Sequence, residues 1–281
     1  MRVVSTRPLL AALPLLAACA GAGGPGSEGP PTLSYATPTT GLTYTQTDTT
    51  VMSIDAGGQL IDVVILGNGV LDMDFSPTDE GARVSATWVD LDVEMTNPMG
   101  APERASEADI DGPVVFDMDR LGRTELVSEP ALQGRAQQMV VPKALVESFF
   151  PRLPGTPPTP GMAWTDTVSF EAEVPEAATT SRMILEYIVV GDTLVEGRSL
   201  LRIDLQGQGS TLQEGSTQGM DFVQDLSGDV GGFLLWDLAE GMMRYQEMET
   251  EYGGSMEVSA APMPLEVSMR STTRVRLGPG S

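Results

Sequence analysis

Along most of the chain, apolar and polar residues alternate with a period of two. Val168, Phe170, Ala172 and Val174 are interleaved with Ser169, Glu171 and Glu173, as expected of a strand with one face on a core and one in water. Leu201, Ile203 and Leu205 alternate in the same way with Arg202, Asp204 and Gln206. Near the C-terminus, Val267, Met269, Thr273, Val275 and Leu277 oppose Arg270, Thr272, Arg274 and Arg276. Between Val84 and Met95 the apolar phase changes once, from Val84, Ala86 and Trp88 to Val89, Leu91, Val93 and Met95. A single slip of this kind predicts a β-bulge. Segments 62–66 and 183–190 are apolar on both faces, which predicts central strands covered on two sides.

One stretch departs from this period. Ser128 to Phe150 places Leu132, Ala136, Met139 and Val140 at helical spacing, and Pro142 divides it. Pro130 and Pro142 each suit a first helical turn, so two short helices are expected. Pro151 to Pro160 follows with five prolines in ten residues, a stiff crossover. Short blocks recur on either side of this segment. Gly41-Leu42-Thr43-Tyr44-Thr45-Gln46-Thr47 matches Gly161-Met162-Ala163-Trp164-Thr165-Asp166-Thr167, and Glu80-Gly81 matches Glu196-Gly197. Phe116-Asp117-Met118, with Gly122 after it, matches Trp236-Asp237-Leu238 with Gly241 after it. Blocks in one order at nearly one offset predict a duplicated unit. The expected fold is therefore mainly β: duplicated, curved antiparallel sheets, half-barrel or sandwich-like, with a short helical pair between the halves. Residues 41–153 and 154–281 are read as two β repeats packed as one body.

Composition narrows the chemistry. The 281 residues carry 16 Lys+Arg against 39 Asp+Glu, a net charge of −23, with no histidine and one cysteine. Without histidine there is no Ser-His-Asp or Cys-His nucleophile pair, no imidazole base and no histidine zinc ligand. A single cysteine forbids an internal disulfide. The negative charge repels the phosphate backbone, so nucleic acid is excluded as a partner.

The cysteine stands in a telling place. Arg2 and Arg7 precede an apolar run from Pro8 to Ala18, which ends in Leu16-Ala17-Ala18-Cys19. This sequence resembles a bacterial lipobox. The resemblance implies a signal peptide over residues 1–18 and lipidation of Cys19 as the new N-terminus, with acyl chains as the membrane contact. Cleavage there removes two arginines and takes the net charge from −23 to −25. Ala20, in place of aspartate, implies the outer membrane, with the protein facing the periplasm or the cell surface. Residues 19–40, small and rich in Gly, Pro and Thr, read as a flexible tether with a reach of about 25 Å. Together the lipobox, the tether and the two-part β body resemble uncharacterised envelope lipoproteins and, more distantly, the curved-sheet carriers that move lipids or lipoproteins across the periplasm.

Carboxylates are the abundant functional groups. Asp90, Asp92 and Glu94 share one strand face, and Asp117 and Asp119 share another. If these strands are antiparallel neighbours about their connection, facing residue numbers sum to about 209, which sets Asp92 beside Asp117 and Asp90 beside Asp119. Such a group is either a solvated face or a Ca²⁺ site formed by Asp90, Asp92, Asp117 and Asp119. A paired-carboxylate hydrolase is a third reading, disfavoured by the scarcity of aromatic residues for a sugar platform. No catalytic residue and no other cofactor are expected. The 16 methionines, several at inward positions such as Met95, Met118, Met183 and Met269, suit either an irregular core or an adaptable apolar cavity. Two functions fit: a module binding an apolar or lipid-like ligand in the curved sheet beneath the helices, or a structural lipoprotein with a filled core that contacts another envelope protein.

Overall fold

The computed structural model describes residues 31–278 apart from 99, 176, 218 and 262. Residues 31–281 group as one compact unit. Residues 1–18, read above as a signal peptide, and Cys19 lie outside the described residues.

The alternating segments become strands of one antiparallel sheet. The first five of its main path are β1 (Leu42–Asp55), β2 (Leu60–Pro77), β3 (Gly81–Thr96), β6 (Val114–Asp119) and β7 (Thr124–Ser128). Between β3 and β6 run β4 (Glu103–Ser106), a 3-10 turn and β5 (Ile110–Asp111). After β7 come β8 (Ala131–Leu132), the helices α1 (Ala136–Met139) and α2 (Pro142–Ser148), and the crossover. The second run is β9 (Ala163–Val174), β10 (Ala177–Val195), β11 (Arg198–Thr217), β12 (Met220–Asp237), β13 (Met242–Val258) and β14 (Leu265–Leu277). The order across the sheet is β7-β6-β3-β2-β1-β14-β13-β12-β11-β10-β9, with β4 pairing β3 and with β5 and β8 forming a separate ribbon. Each run is thus a meander, and β14 joins them by pairing with both β1 and β13.

The sheet curls without closing into a barrel. Laid flat, its eleven strands would set the β7 and β9 edges about 48 Å apart. Yet α2 touches both edge strands, and a helix is only about 10–12 Å across. Curvature has brought the edges to either side of one helix, which shields the backbone groups they would otherwise offer to another chain. Close strand approach permits this bend. A Cβ on Gly207 would fall 2.0 Å from the carbonyl oxygen of Ile184, so only glycine fits there.

The concave face holds the core, in which Tyr44, Phe116 and Trp236 are almost wholly buried. The convex face is polar and carries exposed ion pairs such as Arg274–Glu247 and Arg270–Glu251, each contributing little to stability. The phase slip in β3 is a bulge: Val70 pairs with Asp90 but Leu71 with Trp88, leaving Val89 as an outward-facing extra residue. Two local expectations fail. Leu66, Ile184 and Val190 are exposed on the convex side, so 183–190 is buried on one face only, and in 62–66 Val63, Val64 and Ile65 are no more than half-buried. The helical stretch starts late because Ala131–Leu132 pairs with Ile110–Asp111, and Gly134, at φ 54°, interrupts the chain before α1. Two short helices remain, of four and seven residues.

The tether is also shorter than its composition suggests. Leu33 and Tyr35 are buried, and this segment forms a strap across three connections. The Leu33 amide donates to Thr156 O, that of Tyr35 to Arg120 O, and that of Ala36 to Gly241 O. The Tyr35 hydroxyl donates to Pro151 O at 2.9 Å, and its ring meets Phe150 and Trp236 edge-on at 5.5 and 4.8 Å. The strap runs against two similar turns. Asp119 Oδ1 accepts from the amides of Leu121 and Arg123, and Asp237 Oδ1 from those of Ala239 and Glu240. Gly122 and Gly241 follow at φ 80° and 61°. A Cβ on Gly122 would lie 2.7 Å from the Tyr35 ring, and one on Gly241 would lie 2.9 Å from Ala36. Both glycines are fixed by backbone conformation and by close approach together.

Candidate functional site

A cavity of about 320 Å³ lies between the concave sheet and the helices. Val140, Val141, Ala144, Leu145 and Phe149 form its roof, and Trp88, Leu91, Val93, Met248 and Val275 form much of its floor. Space exists here because Gly67 and Gly69 occupy inward positions of β2 and carry no side chain, while the β3 bulge tips Trp88 and Leu91 onto the same side. The volume is at the lower end of the range for small-molecule sites.

One wall is polar. In β1 the inward phase begins Leu42, Tyr44 and continues Gln46, Asp48, Thr50, so polar side chains occupy positions the pattern assigns to the core. Asp48 sits between Gly67 of β2 and Thr273 of β14. Its Oδ1 accepts from Thr273 Oγ1 and its Oδ2 from Gln46 Nε2, both at 2.7 Å. Burial pushes the Asp48 carboxyl above its ordinary range, and the two hydrogen bonds pull it back only in part. On β13, Gln246 is 7% exposed, and its Oε1 has no hydrogen-bond partner. No charged residue other than Asp48 lines the cavity among the described residues.

The residues singled out for a metal are placed elsewhere. β3 pairs β6 with Gly81 opposite Asp119 and Arg83 opposite Asp117. Asp92 therefore faces Asn68 and Ser106, and Asp90 faces Val70. The expected juxtaposition of Asp92 with Asp117 and of Asp90 with Asp119 does not form, because β4 and β5 occupy the connection and move the pairing to the start of β3. Arg83 binds Asp117 through two hydrogen bonds of 2.8 Å, which hold that carboxyl below its usual range. Asp119 caps its turn and meets Arg123 at 3.7 Å. Among the described residues no group of three or more acidic or cysteine side chains is arranged to hold a metal ion.

A second hollow, of about 490 Å³, gathers Arg198, Arg244 and Arg276 on the outside of the sheet. Each guanidinium already meets a carboxylate: Arg198 with Glu240 at 3.0 Å, Arg244 with Asp237 at 3.5 Å, Arg276 with Glu196 at 2.8 Å. It offers an anion no surplus charge.

The polar wall was not singled out from sequence, although its signal was present in the run Gln46, Asp48, Thr50 on a core-facing phase. Gln246 carries a similar signal, standing in phase with Met248, Thr250 and Tyr252 against Glu247, Glu249 and Glu251.

No protein family matches the chain, and no curated protein matches it. Among solved structures, the β domain of the Bordetella autotransporter BrkA is 9% identical, with a TM-score of 0.24, over 84% of this chain and 98% of that one. Pseudomonas aeruginosa OccK2 (OpdF) is 8% identical with a TM-score of 0.26, over 86% of this chain and 99% of that one. A domain of Vibrio parahaemolyticus described as an outer membrane lipoprotein-sorting protein is 8% identical with a TM-score of 0.16, over 84% of this chain and 86% of that one. Likeness at these scores carries neither a fold nor an activity from those proteins to this one.

Proposed function

We propose that the protein is a cell-envelope lipoprotein, anchored in the outer membrane through acyl chains on Cys19, that holds an apolar or lipid-like ligand beneath its helices. The cavity under α1 and α2 carries this reading: a curved sheet, a short helical roof and mostly apolar walls line a half-open hollow that the core does not fill. The helices are short and pack mainly through side chains, so the roof is the element that would move to admit a ligand. The anchor reading rests on Leu16-Ala17-Ala18-Cys19. The two meanders are read as one duplicated unit, with the helices inserted at the join.

The test is native mass spectrometry on protein released gently from membranes. A lipid-sized mass adduct is expected, and Ala144→Trp, which fills the cavity from its roof, should reduce it without lowering the melting temperature by more than a few degrees. Protein free of adduct, and unable to take up octanol when it is added, would favour a filled-core protein acting through its surface contacts.

A further inference from the structure

Resting on the cavity as a binding site, we propose that its polar wall receives the ammonium end of an amphiphile, so that the ligand is an apolar chain bearing a primary amine. Two independent observations on that wall point to such a group. Asp48 is the only charge lining the cavity, and no arginine or lysine lies within ion-pair distance of it among the described residues. Gln246, almost fully buried, offers a carbonyl oxygen with nothing to accept from. Both groups are acceptors: Asp48 has an amide and a hydroxyl donor but no counter-charge beside it, and Gln246 Oε1 has no donor at all, so an ammonium supplies what each still lacks.

Desolvation makes the choice. An apolar chain entering the cavity takes Asp48 further out of solvent, and a buried charge with no counter-charge beside it is costly. An alkyl ammonium restores a charge-assisted hydrogen bond at that moment. A neutral alcohol restores only a weaker one. A carboxylate or phosphate end would set like charge against Asp48 in a medium that screens poorly. The apolar roof and floor take any chain alike, so discrimination falls to this wall.

The experiment titrates the full-length protein with octylamine, octanol and octanoate, following calorimetry and the fluorescence of Trp88, which lines the cavity. Octylamine should bind about tenfold or more tightly than octanol, the scale of one charged hydrogen bond, and octanoate should bind least. Asp48→Asn should bring octylamine down to about the level of octanol, a loss of about tenfold, while octanol, which makes only the weaker hydrogen bond there, changes far less. Equal affinity for amine and alcohol overturns the inference, as does an amine preference that survives Asp48→Asn, which would be general attraction to an acidic protein. If the variant does not fold, repeating the wild-type series at high monovalent salt decides the matter: an amine preference that persists supports the buried pair with Asp48, and one that salt abolishes is general attraction and overturns it. If none of the three chains binds, the cavity reading itself fails.

Discussion

Tyr35 tests whether the strap belongs to the folded body. It is 6% exposed, its hydroxyl donates to Pro151 O at 2.9 Å, and its ring packs edge-on against Phe150 and Trp236. Tyr35→Phe keeps the ring and leaves one buried carbonyl unpartnered, a cost of about 1–2 kcal/mol. Tyr35→Ala removes the ring and leaves a hole between three aromatic and carbonyl neighbours, about 3–5 kcal/mol by analogy with other large-to-small core changes. For a body of this size each kcal/mol moves the melting temperature by about 2–4 °C. Scanning calorimetry should therefore show losses of about 2–8 °C for Phe and about 6–20 °C for Ala. Because Trp236 contacts the Tyr35 ring, its fluorescence should report the same transition. A chain beginning at Gly41 should be destabilised at least as much as Tyr35→Ala, since it also loses Leu33 and the three strap amides. If Tyr35→Ala melts within about 2 °C of the parent, residues 31–36 behave as the linker their composition suggests, and the packing argument is wrong.

Gln246→Met keeps the side-chain volume and removes the orphaned carbonyl, so it should raise stability by about 1 kcal/mol in urea unfolding; a loss would mean the amide has a partner that matters. For Asp48 the folded carboxyl titrates above the unfolded value of about 3.9. The folded state then holds the proton more tightly, and its contribution is fully present below about pH 3.9 and lost as pH rises through the raised folded value. Asp48→Asn should remove that decline, seen as a flatter profile of unfolding free energy against pH above about 4; identical slopes in parent and variant would contradict the assigned direction. Ca²⁺ and matched monovalent salt should shift the melting temperature equally, and Asp92→Asn should change neither shift, because Asp117 and Asp119 are already engaged by Arg83 and Arg123. A specific Ca²⁺ increment abolished by that variant would restore the acidic strands as a cation site.

The sequence by itself determined that segments such as 168–174, 201–205 and 267–277 are strands and which face of each turns inward, where β3 is bulged, and that two short helices interrupt the strands around Pro142. These are period and steric properties of a few neighbouring residues, written directly into alternation such as that of Val168 to Val174 and into the slip at Val89. Tertiary structure decided everything that depends on which distant segments meet. Alternation is the same whichever strand lies alongside, so it could not place β14 between β1 and β13, nor show that the β3–β6 pairing starts at Gly81 and separates Asp92 from Asp117. Composition marked residues 31–36 as linker, because Gly and Pro content says nothing of the hollow between two turns into which Leu33 and Tyr35 fit. The cavity follows the same logic. Gln46 and Asp48 break the apolar phase visibly, yet only the curl of the sheet beneath α2 brings them to the same enclosed space as Gln246, two strands away, under a roof from the middle of the chain.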